Sequence, residues 1–323
     1  MKAIVRTEYG SPDILELKDI ARPVPMDNQV LLRVHAASVN PLDWHILRGI
    51  PFLVRLMGFG LLRPKHQILG ADISGLVEAV GANVTQFKVG DEVYGSGMGG
   101  FAEYTCVRED KLVLKPAAMT FEQAAAVPVA GLTALQGLRD HGQIQPGQKV
   151  LINGASGGVG TFAVQIAKAL GAHVTGVCSG PNLEMVRSLG ADNMIDYTKE
   201  GFWRSEKEYD LIIDNAAFYS IRKTLRALKP TGVYVLIGGS SSTVSLLKSL
   251  ILNPLISRIM GRKLVSFMAS MNQPDMAVLR ELLEAGKVVP VIDRKYSLSE
   301  VPQAIRYVEE GHTRGKVVIT VHR

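Results

Sequence analysis

The run VLINGASGGVGTFAVQIAKAL, residues 150–170, constrains the fold more than any other part of the chain. It begins as a short apolar strand, passes through small residues and ends in a helical pattern. The apolar helix positions recur every three or four residues, at Val159, Phe162, Ala163, Ile166, Ala167 and Leu170. A second strand-like run, HVTGVC, follows. Strand, turn, helix and strand in this order predict a βαβ unit.

The small residues between strand and helix predict a dinucleotide-binding turn. Written as G-x-G-x-x-G, the glycine positions are Ala155, Gly157 and Gly160. Gly157 lets the backbone approach a pyrophosphate, Gly160 lets helix and strand pack closely, and the helix N-terminus offers free N–H groups. A glycine-rich turn without a ligand is the alternative, which the surrounding βαβ order disfavours. The predicted cofactor-binding residues of the turn are Ala155, Ser156, Gly157, Gly158, Val159 and Gly160.

The end of the second strand, in GVCSGPNLE, indicates which dinucleotide is bound. An acid about 20 residues past the glycines usually holds the ribose 2′-hydroxyl of NAD. Here no acid occurs before Glu184, while Ser179 and Asn182 can donate to a 2′-phosphate. The sequence therefore predicts NADP(H) as the cofactor. Alternatively, Ser179 only caps a helix that begins near Pro181.

The whole chain is long enough for two domains, with 323 residues, 47% hydrophobic and 20% charged. Its first third contains short strand patterns, and from about Phe121 helical and strand patterns alternate. After about Ala269 short mixed elements return. We predict an α/β protein in which residues 1–125 and 270–323 form one discontinuous β-rich domain around an inserted Rossmann domain, residues 126–269.

Charge and cysteine content exclude several classes of protein. The net charge of +6 is scattered, without a block of five like charges, so we expect no nucleic-acid partner. Two cysteines, Cys106 and Cys178, cannot build a disulfide framework or a four-thiolate zinc lobe. The first ten residues lack the apolar core of a signal peptide, so the expected location is the cytoplasm.

Four runs together resemble a known superfamily: GADISGLVEAVGANVTQFKVGDEVYG, GGFAEY, AAAVPVAGLTALQGL and VLINGASGGVG. In this order they resemble the medium-chain dehydrogenase/reductase superfamily, in its zinc-free quinone oxidoreductase branch related to zeta-crystallin. The resemblance covers essentially the full chain. It implies a GroES-like β-rich catalytic domain, an inserted Rossmann domain and an active site in the cleft. We also expect a homodimer.

The zinc alcohol dehydrogenases of this superfamily carry ligands that are missing here. The place of the zinc-binding Cys falls at about Pro41, that of the His at Ala71 and that of the Glu at Asp72. Because catalytic zinc needs about three protein ligands, we expect no metal. The scattered His35, His45 and His66 show no ligand spacing.

The resemblance places the catalytic residues in VNPLDWHILRG. In the family, the Asn of V-N-x-x-D lies near the nicotinamide and the substrate carbonyl, which implies a donor or orienting role for Asn40 with Asp43 as its neighbour. The family often has Tyr two places after the Asp, where this chain has His45. Either His45 relays a proton to the product or it is a structural residue beside Trp44.

The resemblance also adds three cofactor-binding residues. Thr133 matches a residue that packs against the nicotinamide, and Tyr197 matches one along the 2′-phosphate. Gly238 matches backbone that contacts the nicotinamide half of the cofactor. NADPH-using relatives often carry Lys or Arg near position 181, where this chain has Pro181.

Two apolar stretches leave alternatives open. We expect residues 49–67 to form a lid or wall of an apolar substrate pocket and to contain a short helix. Residues 244–264 are interrupted by charged residues and Pro254, which argues against a transmembrane helix. They pack at the edge of the cleft, pair with another subunit or touch a membrane surface.

Together these observations predict a zinc-independent NADPH-dependent oxidoreductase that transfers a hydride to a small apolar conjugated acceptor, a quinone or an α,β-unsaturated carbonyl. One alternative is a non-catalytic NADPH-binding protein, since a fold does not fix a function. Another is an alcohol dehydrogenase or ketone reductase without zinc.

Overall fold

The structure of the protein, a computed structural model, describes residues 1–204, 208–217, 219–237 and 262–322. The chain divides into two compact units. The first comprises Met1–Val129, Met271–Glu284 and Pro290–Arg323, and the second comprises Ala130–Ser270 and Ala285–Val289. The sequence predicted boundaries after residues 125 and 269, whereas the units change after residues 129 and 270. Assignment of residues 285–289 to the second unit was not predicted.

Strands and helices follow one another along the described chain. The strands are β1 (Lys2–Val5), β2 (Glu16–Asp19), β3 (Gln29–Val39), β4 (Asp72–Val80), β5 (Glu92–Ser96), β6 (Tyr104–Arg108), β7 (Leu112–Leu114), β8 (Lys149–Asn153), β9 (His173–Cys178), β10 (Asn193–Asp196), β11 (Tyr209–Asp214), β12 (Leu228–Ile237), β13 (Lys263–Phe267), β14 (Ile292–Ser297) and β15 (Lys316–Thr320). The helices are α1 (Pro41–Arg48), α2 (Phe121–Ala125), α3 (Pro128–Gln136), α4 (Gly158–Ala169), α5 (Leu183–Ser188), α6 (Ile221–Ala227), α7 (Gln273–Glu284) and α8 (Val301–Glu309). Single helical turns lie between them.

The second unit contains a six-stranded parallel sheet in the order β10-β9-β8-β11-β12-β13. Residues 150–152 of β8 and 211–213 of β11 are all buried. Unbroken apolar runs are typical of parallel strands that are covered on both faces. The strand order reverses between β8 and β11, and ligands of such sheets bind at the carboxyl ends beside that reversal. The predicted α/β fold with a parallel sheet is confirmed.

The first unit is built on a larger, mostly antiparallel sheet. Its strands follow the order β14-β15-β3-β4-β5-β7, β6 also pairs with β3, and β1 and β2 form a separate pair. The long strand β3 is central because β15, β4 and β6 all pair with it. The amphipathic helix α8 packs Val301, Ala304 and Ile305 onto the core. The neighbouring helix α1 adds Ile46 and Leu47 to the same core.

The two apolar stretches have different outcomes. Residues 49–67 contain a helical turn at Arg55–Phe59, so the predicted short helix is confirmed. Most of the stretch 244–264 lies outside the described residues, and its last two residues belong to β13. Among the helices that the structure describes, none has the length and apolar character needed to cross a membrane.

Candidate active site and nucleotide-binding site

The turn after β8 has the geometry of a nucleotide-binding turn. Gly154 adopts a positive φ of 75°, and Gly157 caps helix α4, which begins at Gly158. A Cβ atom on Gly160 would lie 2.1 Å from the Gly154 carbonyl oxygen, so no larger residue fits there. A Cβ on Gly157 would meet only the same oxygen, at 3.5 Å. Packing within the protein therefore requires Gly160 but not Gly157, and the open space beside Gly157 fits the approach of a pyrophosphate.

Three predicted polar residues of the cofactor site come together beside this turn. Asn182 Nδ2 donates to Ser179 Oγ at 3.1 Å and to Ser156 Oγ at 3.3 Å. Because both serine oxygens accept from Asn182, each serine keeps its own hydroxyl hydrogen for another acceptor. Two such donors next to a helix N-terminus form a surface suited to phosphate oxygens. Ser179 stands at the N-cap of the turn Gly180–Asn182 but makes no side-chain capping bond, so it does not act as the cap.

The structure brings an acid to this region that the sequence reading missed. Asp196 ends β10 beside Cys178, the last residue of β9. Its carboxylate is 8% exposed and accepts from Thr198 N and Thr198 Oγ1 at 3.0 and 2.6 Å. The Thr198 hydroxyl bond is the main cause that lowers the Asp196 pKa, so the group stays ionised. The exposed Lys199 places its Nζ 3.9 Å from Asp196 Oδ2.

The other cofactor residues predicted in this unit lie in different settings. Ala155 is buried in the turn, and Ser156, Gly158 and Val159 are partly exposed. Tyr197 follows β10 and is 45% exposed. Thr133 lies half-buried on α3. Gly238 lies outside the described residues.

A second buried carboxylate, Asp214, lies at the reversal of strand order. It is fully buried at the end of β11 and accepts from Asn153 Nδ2 at 2.8 Å and Tyr234 Oη at 2.9 Å. The N–H groups of Ala216 and Ala217 also donate to it. Because Asn153 ends β8, this network joins the nucleotide-binding turn to the neighbouring strand. Burial is the main cause that raises the Tyr234 pKa, with the Asp214 charge adding to it.

In the first unit, the predicted catalytic residue Asn40 belongs to a buried polar network. The residue is 2% exposed, its Nδ2 donates to Asp72 Oδ2 at 2.9 Å, and its Oδ1 accepts from Lys316 Nζ at 2.5 Å. Sequence reasoning assigned no role to Lys316 and noted Asp72 only at a zinc-ligand place. The one available signal was a lysine at the start of the apolar strand KVVIT.

Asp72 is the acceptor at the centre of this network. Its Oδ2 accepts from Ser38 Oγ at 2.7 Å and Lys316 Nζ at 3.2 Å, besides Asn40. Its Oδ1 accepts from Val129 N at 2.9 Å, in the first turn of α3. Both carboxylate oxygens are thus bonded to donors inside the protein. A carboxylate at a helix N-terminus also interacts favourably with the helix dipole.

Asp43 lies beside this network but bonds to backbone. Its Oδ2 accepts from Asn40 N at 2.8 Å, which caps α1, and its Oδ1 accepts from Gly70 N at 3.1 Å. The carboxyl is fully buried, and burial raises its pKa to about 7 against the two backbone bonds that lower it. Asp43 therefore changes its charge near neutral pH.

His45 is oriented by a backbone bond. Its Nδ1 lies 2.8 Å from the Ile50 carbonyl oxygen, which can only accept, so Nδ1 carries the hydrogen and Nε2 is the basic nitrogen. The ring stacks on Trp44 with centroids 3.6 Å apart. Burial lowers the His45 pKa, so the ring is neutral at neutral pH. The bond to Ile50 fits the structural alternative, and the catalytic one stays a prediction.

The places of the zinc ligands hold no metal-ligand set. Ala71 has no donor side chain, and both oxygens of Asp72 are bonded within the protein. In the parts of the chain that the structure describes, no three His, Cys, Asp or Glu side chains come together as a metal site. Zinc independence remains a prediction.

Comparison with known proteins agrees with this architecture. Residues 26–117 match the family model of the alcohol dehydrogenase GroES-like domain, and residues 189–319 match that of the zinc-binding dehydrogenases. The mitochondrial NAD(P)H oxidoreductase RTN4IP1 of Bos taurus is 36% identical over 99% of this chain and 89% of its own length. The chloroplastic NADPH-dependent alkenal/one oxidoreductase of Arabidopsis thaliana is 34% identical over 99% of this chain and 79% of its own.

A solved structure extends the likeness to the whole fold. The quinone oxidoreductase from Coxiella burnetii superposes with a TM-score of 0.88 at 33% identity, covering 100% of this chain and 99% of that one. The chain belongs to the medium-chain dehydrogenase/reductase superfamily, in its quinone oxidoreductase branch. The predicted resemblance and the predicted combination of a GroES-like with a Rossmann domain are confirmed.

Proposed function

We propose that the protein reduces a quinone or an α,β-unsaturated carbonyl with NADPH and without zinc. Oxidoreductase activity and the NADP(H) cofactor are the parts of this prediction that the relatives bear out. The choice of acceptor, the independence from zinc, the homodimer and the cytoplasmic location remain predictions. The location has no support from the relatives, since two of them are named mitochondrial and chloroplastic.

One observation carries the choice of acceptor: the region around Asn40 and Asp72 is filled by internal hydrogen bonds. Reduction of an isolated ketone places a full negative charge on one oxygen, which a metal stabilises as a Lewis acid. Here the side chains of Asn40, Asp72 and Lys316 bond to one another. Asp72 also accepts hydrogen bonds from Ser38 and Val129. Hydride addition to a quinone or to the β-carbon of an enone spreads the charge, so weaker stabilisation is sufficient.

Bound NADPH supplies the hydride from C4 of its nicotinamide. In this proposal, the hydroxyls of Ser156 and Ser179 and the N-terminus of α4 bind the phosphates. Asn40 orients the acceptor carbonyl. His45 is neutral, so it can deliver a proton to the product enolate only after Nε2 has taken one from water.

The test measures NADPH oxidation with matched acceptors: a 1,4-quinone, an enone, the saturated ketone of the same carbon skeleton and the corresponding alcohol with NADP⁺. We expect kcat/KM for the enone or quinone to exceed that for the saturated ketone by at least about 100-fold, the size of one lost oxyanion interaction. Equal activity on ketone and enone would favour the ketone reductase, and NADPH binding without turnover on any acceptor would favour the non-catalytic alternative. Turnover that survives a chelator supports zinc independence, and one zinc per chain by elemental analysis contradicts it.

A further inference from the structure

Lys316 is a buried cation to which the proposed reaction gives no role. It opens β15, its side chain is 3% exposed, and its Nζ bonds to Asn40 Oδ1 at 2.5 Å and Asp72 Oδ2 at 3.2 Å. Lysine is almost never fully buried unless its charge is paired. The pair with Asp72 explains why the charge is tolerated. The shorter bond leads to Asn40, the residue proposed to act on the acceptor.

The two neighbours of Asn40 determine which way its amide group points. The ammonium of Lys316 can only donate, so it must face the amide oxygen. An ionised Asp72 can only accept, so it must face the amide nitrogen. Rotating the amide by half a turn would place the amide N–H groups against the Lys316 ammonium and the amide oxygen against the Asp72 carboxylate, so neither hydrogen bond could form. Lys316 and Asp72 therefore select one orientation of Asn40 out of two.

We propose that Lys316 is a positioning residue for hydride transfer, because together with Asp72 it fixes the orientation of the Asn40 amide. The inference rests on the proposed function, in which Asn40 orients the acceptor. Nδ2 carries a second hydrogen besides the one directed to Asp72. A hydrogen bond from a cation to Oδ1 polarises the amide, which strengthens that second hydrogen as a donor.

The first test replaces Lys316. Lys316→Met removes both the charge and the donor, and Lys316→Gln removes the charge but keeps a donor one atom shorter. Because misplacement of a reacting group by about 1 Å costs about 100-fold, we expect Lys316→Met to lower kcat by about 10- to 100-fold and Lys316→Gln by less. The Kd of NADPH should not change. Thermal unfolding identifies the variants that fold. If Lys316→Met does not fold, the kcat of Lys316→Gln decides the test.

Lys115 provides a matched control in the same unit. Its side chain is also buried, at 5% exposure, and its Nζ pairs with Glu92 at 2.9 Å. Its other bonds go to the backbone carbonyls of Pro116 and Met119 and not to the Asn40 network. Lys115→Met should lower stability, as Lys316→Met does, and leave kcat unchanged. An equal loss of kcat in both variants would mean that any buried lysine matters only for folding, which overturns the proposal.

A double-mutant cycle tests whether Lys316 acts through Asn40. If it does, Asn40→Ala with Lys316→Met should be about as slow as the slower single variant, because interacting residues are not additive. If the losses of kcat in the two single variants multiply in the double variant, or if Asn40→Ala has unchanged kcat, the positioning role is overturned. Neither result would contradict NADPH-dependent reduction.

A measurement without any acceptor separates this inference from the proposed function. The ¹⁵N–¹H resonances of the Asn40 side-chain amide should shift in Lys316→Gln and stay in place in Lys115→Met. Unshifted resonances in Lys316→Gln overturn the positioning role, whichever acceptor the enzyme reduces. Shifted resonances in a protein that reduces no acceptor would contradict the proposed function and, with it, the role of Lys316 in hydride transfer. Only the hydrogen bond between Lys316 and Asn40 would then be supported.

Discussion

Asp72 of the first unit and Asp214 of the second are both fully buried carboxylates at the ends of strands, but their partners differ. Asp72 has an ammonium, that of Lys316, among its donors. The donors that the structure gives Asp214 are neutral: an amide, a phenol and two backbone N–H groups. The comparison separates two ways of stabilising a buried charge, by an opposite charge or by neutral hydrogen bonds alone.

The largest expected effect follows from this difference. Asp72→Asn leaves the Lys316 ammonium buried without an anion, which costs about 3–5 kcal/mol of unfolding free energy. The side-chain NH₂ of the new asparagine would also face the backbone N–H of Val129, which now donates to Asp72 Oδ1. In Asp214→Asn the remaining oxygen can keep the bonds from Asn153 and the backbone, and the new amide can donate to Tyr234, so about 1–3 kcal/mol is expected.

Urea unfolding of the two variants checks this prediction. A matched conservative change, Asp110→Asn at an exposed acid, should cost less than about 1 kcal/mol. Equal losses of unfolding free energy in Asp72→Asn and Asp214→Asn would show that the charge on Lys316 makes no difference. The two buried carboxylates would then be stabilised in the same way.

Asp43 sharpens the comparison through pH, since its carboxyl has no direct bond to a cation. Its folded pKa is about 7, while an unfolded Asp has a pKa of about 3.9. Between these values the unfolded chain has lost a proton that the folded protein keeps, so stability falls as pH rises from about 4 to about 7 and levels off above. The slope is at most about 1.4 kcal/mol per pH unit.

The measurement is the stability difference between the wild type and Asp43→Asn across pH, which cancels the other carboxylates. We expect the wild type to lose unfolding free energy relative to Asp43→Asn as pH rises from about 4 to about 7. A stability difference that does not change with pH would show that the two backbone bonds balance burial, and one that moves in favour of the wild type would show that they outweigh it.

The two glycines of the nucleotide-binding turn offer the next contrast. Gly160→Ala should lower stability by about 1–3 kcal/mol, because its Cβ would overlap the Gly154 carbonyl oxygen. Gly157→Ala should leave thermal unfolding unchanged but weaken NADPH binding measured by titration, since its Cβ would enter the space assigned to the pyrophosphate. Unchanged NADPH affinity in Gly157→Ala would contradict that assignment.

The smallest expected effect concerns cofactor selectivity. Ser179→Asp should weaken NADPH relative to NADH by about 10-fold, because it replaces a donor to the 2′-phosphate with a negative charge, a change of about 1.4 kcal/mol or more. Ser188→Asp adds the same charge at an exposed site of α5 and should not alter the ratio of the two Kd values. Wild-type protein that binds NADH more tightly than NADPH would contradict the assignment of Ser179 to the 2′-phosphate of NADPH.

The region predicted best from the sequence is the one whose residues are contiguous. Strand β8, the glycine turn and helix α4 follow one another within residues 149–169, so local spacing was enough to predict them. The resemblance to the superfamily then supplied Asn40, Asp43 and His45, but not their hydrogen bonds.

The network around Asp72 could not be predicted in the same way. The residue pairs Lys316–Asn40 and Lys316–Asp72 are separated by 276 and 244 positions. Only the pairing of β15 and β4 with β3 brings them together. Asp196 was missed for a similar reason, since its position beside Cys178 depends on the register of β10 against β9.

The central claim is that hydride from NADPH goes to a conjugated acceptor, which in an enone means the β-carbon rather than the carbonyl carbon. The direct measurement uses NADPH with deuterium at the transferred C4 position and locates the label in the product by NMR. We expect a saturated ketone that carries deuterium on its β-carbon. Deuterium on the carbonyl carbon of an allylic alcohol, or a product without label, would contradict the account.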